Sequence, residues 1–359
     1  MLYLRGFYDN YNSYGILLSE LALAMIELGV DVRIMPMPCS ASMPISGYRD
    51  KNNKLIESPL DKLRMPFSQR MDKELLIQPP VVCRALWKNG QVGRNFAHLT
   101  MFETPRIAHE WAEFENHCDA VILPCEHNVL GFHCSGVKSP MYKIPLGYDE
   151  RVYRYRAMRE DGLCVFGIGG RIHPNTDIRK GVKDVVTLFQ RAFPNEDDVR
   201  LEVKSFPFDA RVVNSDDSRI TFIREGYTKE QMADWYAGLT AYLSLSRSEG
   251  WGLMPMEAMV MGRPAITSRF MGLKEFCTSQ ACYEVEYDTE PGKVFGFNFY
   301  AGVWTKPLES SLIKQMRAVY EDRYLAKAKG ILSSQQVKKY TWKNSARELL
   351  KVLEKIGYV

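Results

Sequence analysis

The chain has 359 residues, of which 46% are hydrophobic, 12% aromatic and 25% charged, a globular composition that excludes long disordered segments. Its 47 basic and 43 acidic residues leave a net charge of +4, too mild to establish nucleic-acid binding. The length exceeds one hydrophobic core, so two domains of roughly 150 to 180 residues are expected, with the cleft between them as the natural ligand site.

Apolar runs alternate with helical patterns from the first residue, the pattern of a parallel sheet with helices on both faces. Met1 to Arg5 reads as a strand, Gly15 to Leu28 as an amphipathic helix stopped by Gly29, and Val30 to Met35 as a second strand. Residues 36 to 80 carry prolines, Asn52, Asn53 and mixed charges without a sustained period, and read as a variable connection. Strands follow at Phe96 to Phe102, Ala120 to Leu123 and Met141 to Ile144, with a helix at Ile107 to His117. Pro145 to Asp149 then break the pattern, and the basic stretch after them resembles a linker.

A second α/β series begins near residue 161. Its strands are Leu163 to Ile168, Arg200 to Ser205, Ile220 to Ile223 and Ala241 to Leu245; its helices are Val182 to Phe193 and Thr228 to Gly238. Leu308 to Ile356 reads as helices interrupted near Thr341 and Trp342. The domain expectation is therefore 1–155, joined by part of 340–359, and 156–339.

Cys39, Cys83, Cys118, Cys125, Cys134, Cys164, Cys277 and Cys282 are scattered without a compact disulfide framework, which points to a reducing cytoplasm. His117, Cys118, Cys125, His127, His133 and Cys134 crowd together, yet their spacing fits no standard zinc site. Strand-end cysteines are more often small buried hydrophobes. No stretch approaches the ~20 apolar residues of a membrane span, and the start of the chain lacks a basic segment followed by an apolar signal core.

The segment SRSEGWGLMPMEAMVMGRPAITS, Ser246 to Ser268, holds the most chemistry. It follows a buried strand, turns through glycines and opens a helix in which Pro255 suits the first turn and Gly262 the stop. A loop at the carboxyl end of a parallel strand faces the ligand crevice of an open α/β sheet. The N–H groups of Gly252, Leu253 and Met254 at the helix start favour an anion such as diphosphate. Glu249 in the loop and Glu257 in the helix then suit sugar and ribose hydroxyls, since carboxylates accept charge-assisted hydrogen bonds. The bland alternative, two exposed acids, does not explain why strand, glycines and helix start coincide.

This arrangement, Glu, seven residues, Glu in a strand-loop-helix setting, resembles the retaining family-4 glycosyltransferases of the GT-B fold. The resemblance implies two Rossmann-like domains facing across a cleft, with the C-terminal helix returning to the first. It implies that Glu249 contacts the donor sugar, that Glu257 holds the ribose, and that Gly252 and Leu253 border sugar and phosphates. FGIGGRIHPNTDIRKGVKDV, Phe166 to Val185, is similar to the family's glycine turn, arginine and Lys-Gly, which implies Arg171 and Lys180 as diphosphate ligands. His173 to Ile178 resembles an insertion between them. TMFETPR, DAVILPCEHN, KIPLGYD and TWKNSARELLKVLEKI extend the likeness over most of the chain.

Gly15 falls where a family glycine lets backbone approach the diphosphate, although the usual glycine pair is here Tyr14 and Gly15. Glu103 stands where many relatives carry a histidine touching the donor sugar. It is read either as a ligand of a sugar or acceptor hydroxyl or as an ordinary strand-end acid. Tyr227 is a candidate to border the base and Lys204 to face the cleft.

The resemblance implies retaining transfer from a UDP-, GDP- or ADP-type sugar to an acceptor hydroxyl in glycan or glycolipid synthesis. No further cofactor and no metal are expected, because no Asp-x-Asp sequence is present. Two alternatives stay open: transfer to a modified nucleic-acid base, which the basic stretch Arg151 to Arg159 permits, and a non-catalytic sugar-nucleotide-binding protein. GIGG at Gly167 to Gly170 is an incomplete dinucleotide fingerprint, and neither a GxxxxGK[ST] loop nor a GxSxG turn occurs.

Overall fold

A computed structural model describes residues 1–10, 12–37, 48–49, 54–66, 69–170, 177–206, 213–293 and 300–359. The chain forms two compact units, one of Met1–Asp50, Lys54–Asp149 and Tyr340–Val359, the other containing Glu150–Lys339.

The first unit runs β1 (Leu2–Phe7), α1 (Ser13–Glu27), β2 (Val32–Met37), β3 (Tyr48–Arg49), β4 (Leu55–Ile56), β5 (Glu74–Ile77), α2 (Pro80–Lys88), β6 (Phe96–Leu99), α3 (His109–Glu115), β7 (Ala120–Leu123), α4 (Glu126–Cys134) and β8 (Met141–Lys143). Its main sheet is parallel, in the order β2-β1-β5-β6-β7-β8. Strand order reverses between β1 and β5, so the crevice of this sheet lies at their carboxyl ends.

Residues 36 to 80 are therefore more than a connection. They supply β5, all four of whose residues are buried between β1 and β6. Its Glu74 broke the apolar run, but the residue is neutralised inside the fold by fully buried Arg5 at 2.6 Å. The first helix also departs from expectation. It begins at Ser13 because the Asn12 side chain accepts from Tyr14 N at 2.9 Å. It is buried around most of its circumference, Ser19 and Glu20 included.

The second unit runs β9 (Cys164–Gly169), α5 (Asp177–Lys180), α6 (Val182–Ala192), β10 (Val199–Ser205), β11 (Ile220–Arg224), α7 (Lys229–Gly238), β12 (Ala241–Ser244), α8 (Leu253–Val260), β13 (Ala265–Thr267), β14 (Tyr283–Glu284), the antiparallel pair β15 (Tyr287–Lys293) and β16 (Tyr300–Pro307), α9 (Glu309–Glu321) and α10 (Arg323–Val337). Its parallel sheet has the order β11-β10-β9-β12-β13-β14. This is the doubly wound order, with its switch point between β9 and β12. Phe166, Phe189, Phe193, Leu201 and Leu243 form the centre of the core.

Residues 150–159 pack as part of this unit. Fully buried Arg263 donates to the carbonyls of Arg156, Ala157, Tyr236 and Ala237, tying that segment to the end of α7.

The last helix, α11 (Trp342–Lys355), belongs to the first unit and packs on α1. That contact explains why α1 is buried on its polar side too. Backbone bonds between Tyr148 and both Tyr340 and Trp342 dock the segment. Gly147 makes the approach possible, since a Cβ there would lie 2.2 Å from Trp342 N. Among the described residues no helix is long and apolar enough to cross a membrane.

Candidate active site

The carboxyl ends of β9 and β12 carry the turn at Gly169 and Gly170 and the loop Leu245 to Gly252. Gly252 has φ +106° and caps α8, a left-handed conformation that favours glycine. Pro255 sits in the first turn of α8 and Gly262, at φ +82°, follows its end. Trp251, 1% exposed, anchors the loop against Phe276, while Gly272 N donates to the Glu249 carbonyl at 3.0 Å.

Glu249 is held from the other side of the switch point. Its carboxylate forms an ion pair with Lys180, and Arg179 Nη1 lies 3.3 Å away while also donating to Ser248 O at 2.8 Å. Arg247 N donates to the Arg179 carbonyl at 2.8 Å, so α5 and the loop before α8 are stitched by backbone as well. Burial pushes the Glu249 carboxyl upward, but the Lys180 ammonium and the Arg179 guanidinium outweigh it and hold the pKa at about 2. The group is a firmly ionised carboxylate between two cations.

Glu257, half-buried on α8, accepts from the phenol of Tyr236 at 2.9 Å. Burial, followed by the nearby carboxylate, raises the Tyr236 pKa well above its usual range, so the phenol remains a donor. Leu253 is the first residue of α8 and sits beside Gly252 at the helix start.

Lys204 lies at the end of β10, 4% exposed, with its ammonium donating to Ser205 O and Glu225 O. It also stacks 4.6 Å from the ring centroid of Tyr227. Lys204 is thus a buried clamp between β10 and the loop before α7, and Tyr227 is the half-exposed surface of that clamp. Arg171 lies outside the described residues.

In the first unit, Gly15 opens α1 against the loop after β1, where a Cβ would come within 2.5 Å of Asp9 O. Tyr14 exchanges hydrogen bonds with Met101 at the end of β6, and Glu103, two residues on, is half-buried. Burial first, then Thr100 and the charge of Glu103 act on the Tyr14 phenol, and the net direction is upward.

Sequence reasoning missed three groups. Arg179 hid beside Lys180 as one more basic residue of the loop. Tyr236 reads as an ordinary apolar-face aromatic of α7. Gln78, directly after β5, is fully buried with neither carboxamide atom hydrogen-bonded. It became visible only once β5 was seen to border the first switch point.

Among the described residues the crowded cysteines and histidines form no metal-competent group of their own. Among the described residues one metal-competent group occurs, His98, Glu115 and Cys118. His98 Nδ1 is 2.9 Å from Glu115 and Nε2 is 2.9 Å from Gln78 O. Burial opposes the imidazolium, but Cys83 and Glu115 beside it raise its pKa, so both nitrogens serve as donors in a buried ion pair.

Residues 165–290 match the family described as glycosyl transferases group 1. This interval spans both sides of the second switch point. Residues 165–290, within the second unit, are thus similar to a glycosyl transferases group 1 domain.

Solved structures place the whole chain in the GT-B fold. Sucrose-phosphate synthase from Thermosynechococcus elongatus is 14% identical with a TM-score of 0.70, over 99% of this chain and 98% of that one. Anabaena HepE, solved with UDP and glucose, is 12% identical with a TM-score of 0.65, over 98% and 99%. The α,α-trehalose 6-phosphate synthase of Burkholderia multivorans is 12% identical with a TM-score of 0.56, over 79% and 70%. No curated protein matches the chain.

Proposed function

We propose that this chain is a glycosyltransferase that transfers a sugar from a nucleoside diphosphate sugar to an acceptor hydroxyl, with retention and without a metal, in glycan or glycolipid synthesis. The observation that carries the reading is the seating of Glu249 between Lys180 and Arg179 at the β9/β12 switch point, beside the start of α8.

Sugar transfer passes through an oxocarbenium-like state in which the leaving diphosphate gathers negative charge. Lys180, Arg179 and the α8 amides after Gly252 would stabilise it, supplying the positive charge that a metal gives elsewhere. When phosphate oxygens take the two cations, the Glu249 carboxylate is released to sugar hydroxyls. Glu257, oriented by Tyr236, would hold the ribose, and Tyr227 would border the base. Arg171 completes the diphosphate ligands in this proposal. No carboxylate is assigned as nucleophile; the leaving phosphate accepts the proton of the acceptor hydroxyl on the same face as departure.

HepE, solved with UDP and glucose, supports a nucleotide-sugar donor by likeness of fold. The basic stretch Arg151 to Arg159 does not favour a nucleic-acid acceptor: Arg154, Arg156 and Arg159 are engaged with Glu150 O, Asp234 and Asp161. The experiment is a panel of UDP-, GDP- and ADP-sugars assayed for donor hydrolysis and transfer, with the anomeric configuration of the product read by NMR. One turned-over donor with a retained anomer is expected. Binding without turnover across the panel would favour the non-catalytic alternative, and an inverted anomer would overturn retention.

A further inference from the structure

Helix α10 is amphipathic the wrong way round for a helix packed on a protein core. Its buried positions are Ala326, Gly330, Ser333 and Val337, whereas Tyr324, Leu325, Ile331 and Leu332 are 89%, 43%, 39% and 44% exposed. The inner face has a reason. A Cβ on Gly330 would stand 2.2 Å from Gly262 O, so α10 lies too close to the end of α8 for large side chains. That reason does not extend to the outer face, where Tyr324, Leu325, Ala328, Ile331 and Leu332 form one continuous stripe at helical spacing. Tyr155 adds to it, 45% exposed and lying over Gly262 beside Gly330.

The charge within the helix is one-sided. From Arg323 to Lys339 the chain has five basic residues and no acidic one. Lys327 and Lys329 fall on opposite edges of the stripe, with Lys338 and Lys339 exposed past its end. Lys329 caps the carbonyls of Ser279 and Cys282, and Lys327 pairs with Glu160 at 2.7 Å in an exposed contact of small worth. Glu321 and Asp322 precede the segment.

We propose that the outer face of α10, with Tyr155, docks on an anionic lipid surface. An exposed apolar stripe of Leu, Ile and Tyr edged by lysines is the chemistry of a helix lying in the headgroup region, with the stripe among acyl carbons and the ammonium groups at lipid phosphates. A second copy of the chain fits less well. A two-fold pairing of this face would set its own lysines against each other. The inference stands on α10 and Tyr155 and is independent of the donor site.

The test is co-sedimentation of the full chain with vesicles of phosphatidylcholine alone and of phosphatidylcholine mixed with phosphatidylglycerol. Binding to the mixed vesicles is expected, weakened by salt and by at least about tenfold in Ile331→Asp/Leu332→Asp. Both positions are exposed, so the unfolding midpoint should not move; if it does, Tyr324→Ser carries the same comparison. Absence of parent binding, equal binding to both vesicle types, or undiminished binding of a folded variant would overturn the proposal. So would a dimer in sedimentation velocity that Ile331→Asp/Leu332→Asp dissolves.

Discussion

Tyr236 donates its phenol to Glu257 at 2.9 Å, linking α7 to α8 across 21 residues of sequence. The carboxylate proposed for the ribose is therefore oriented before any nucleotide arrives, which lowers the ordering cost of binding. Glu257→Ala is expected to weaken nucleoside diphosphate binding by about 1.5 to 3 kcal/mol, and Tyr236→Phe by about 0.5 to 1.5 kcal/mol. Titration calorimetry reads both. Full affinity in a folded Glu257→Ala protein would remove Glu257 from the site.

Glu249 should separate turnover from product affinity. A group that serves the sugar acts on the transition state more than on the bare diphosphate, so Glu249→Ala is expected to bind the product nucleotide normally and transfer poorly. Comparison of kcat with product inhibition checks this.

The same residue sets an acid limit. Its pKa is held at about 2 from an ordinary 4.5, a depressed carboxylate. Its contribution to stability is therefore complete above pH 4.5 and is lost as the pH falls toward 2. Glu249→Gln should flatten the loss of unfolding free energy across that window, measured by denaturant melts. An unchanged slope would mean that the cations do not hold the carboxylate in solution.

In the metal-independent transfer proposed above, the diphosphate depends on protein cations. Lys180→Ala, Arg179→Ala and Arg171→Ala are each expected to depress transfer by at least about tenfold, roughly 1.4 kcal/mol of transition-state stabilisation. A strong chelator should leave the parent active. Activity abolished by chelator and restored by magnesium or manganese would sink this account.

Arg5 and Glu74 form a fully buried pair at 2.6 Å, joining β1 to β5. Removing one partner leaves the other charge buried alone, so Glu74→Ala should cost about 3 to 5 kcal/mol. Arg5→Met with Glu74→Leu should recover most of that loss. Urea melts of the single and double variants decide it, and equal losses in both would show that the pair itself does not bear on stability.

Local order was readable wherever one stretch of chain contains its own cause. The strand at Ala120–Leu123, the helix α7 capped by Thr228, and the turn through Gly252 into α8 all follow from apolar runs, capping residues and glycines a few positions apart. Glu249, Glu257, Gly252 and Leu253 stood out for the same reason: loop chemistry at a strand end is written in consecutive residues, whereas Lys180 was implied only by the family resemblance. Tertiary structure decided what depends on distant partners. Strand β5 exists because Arg5 neutralises Glu74, and α1 is buried all round because α11 arrives from the far end of the chain. Arg179 joins Glu249 across 70 residues, and Tyr236 joins Glu257 across the packing of α7 on α8. Pattern within a segment reports which face is apolar or which loop is charged; which charge meets which carboxylate is set by the order of strands in the sheet, and that order is a property of the folded chain.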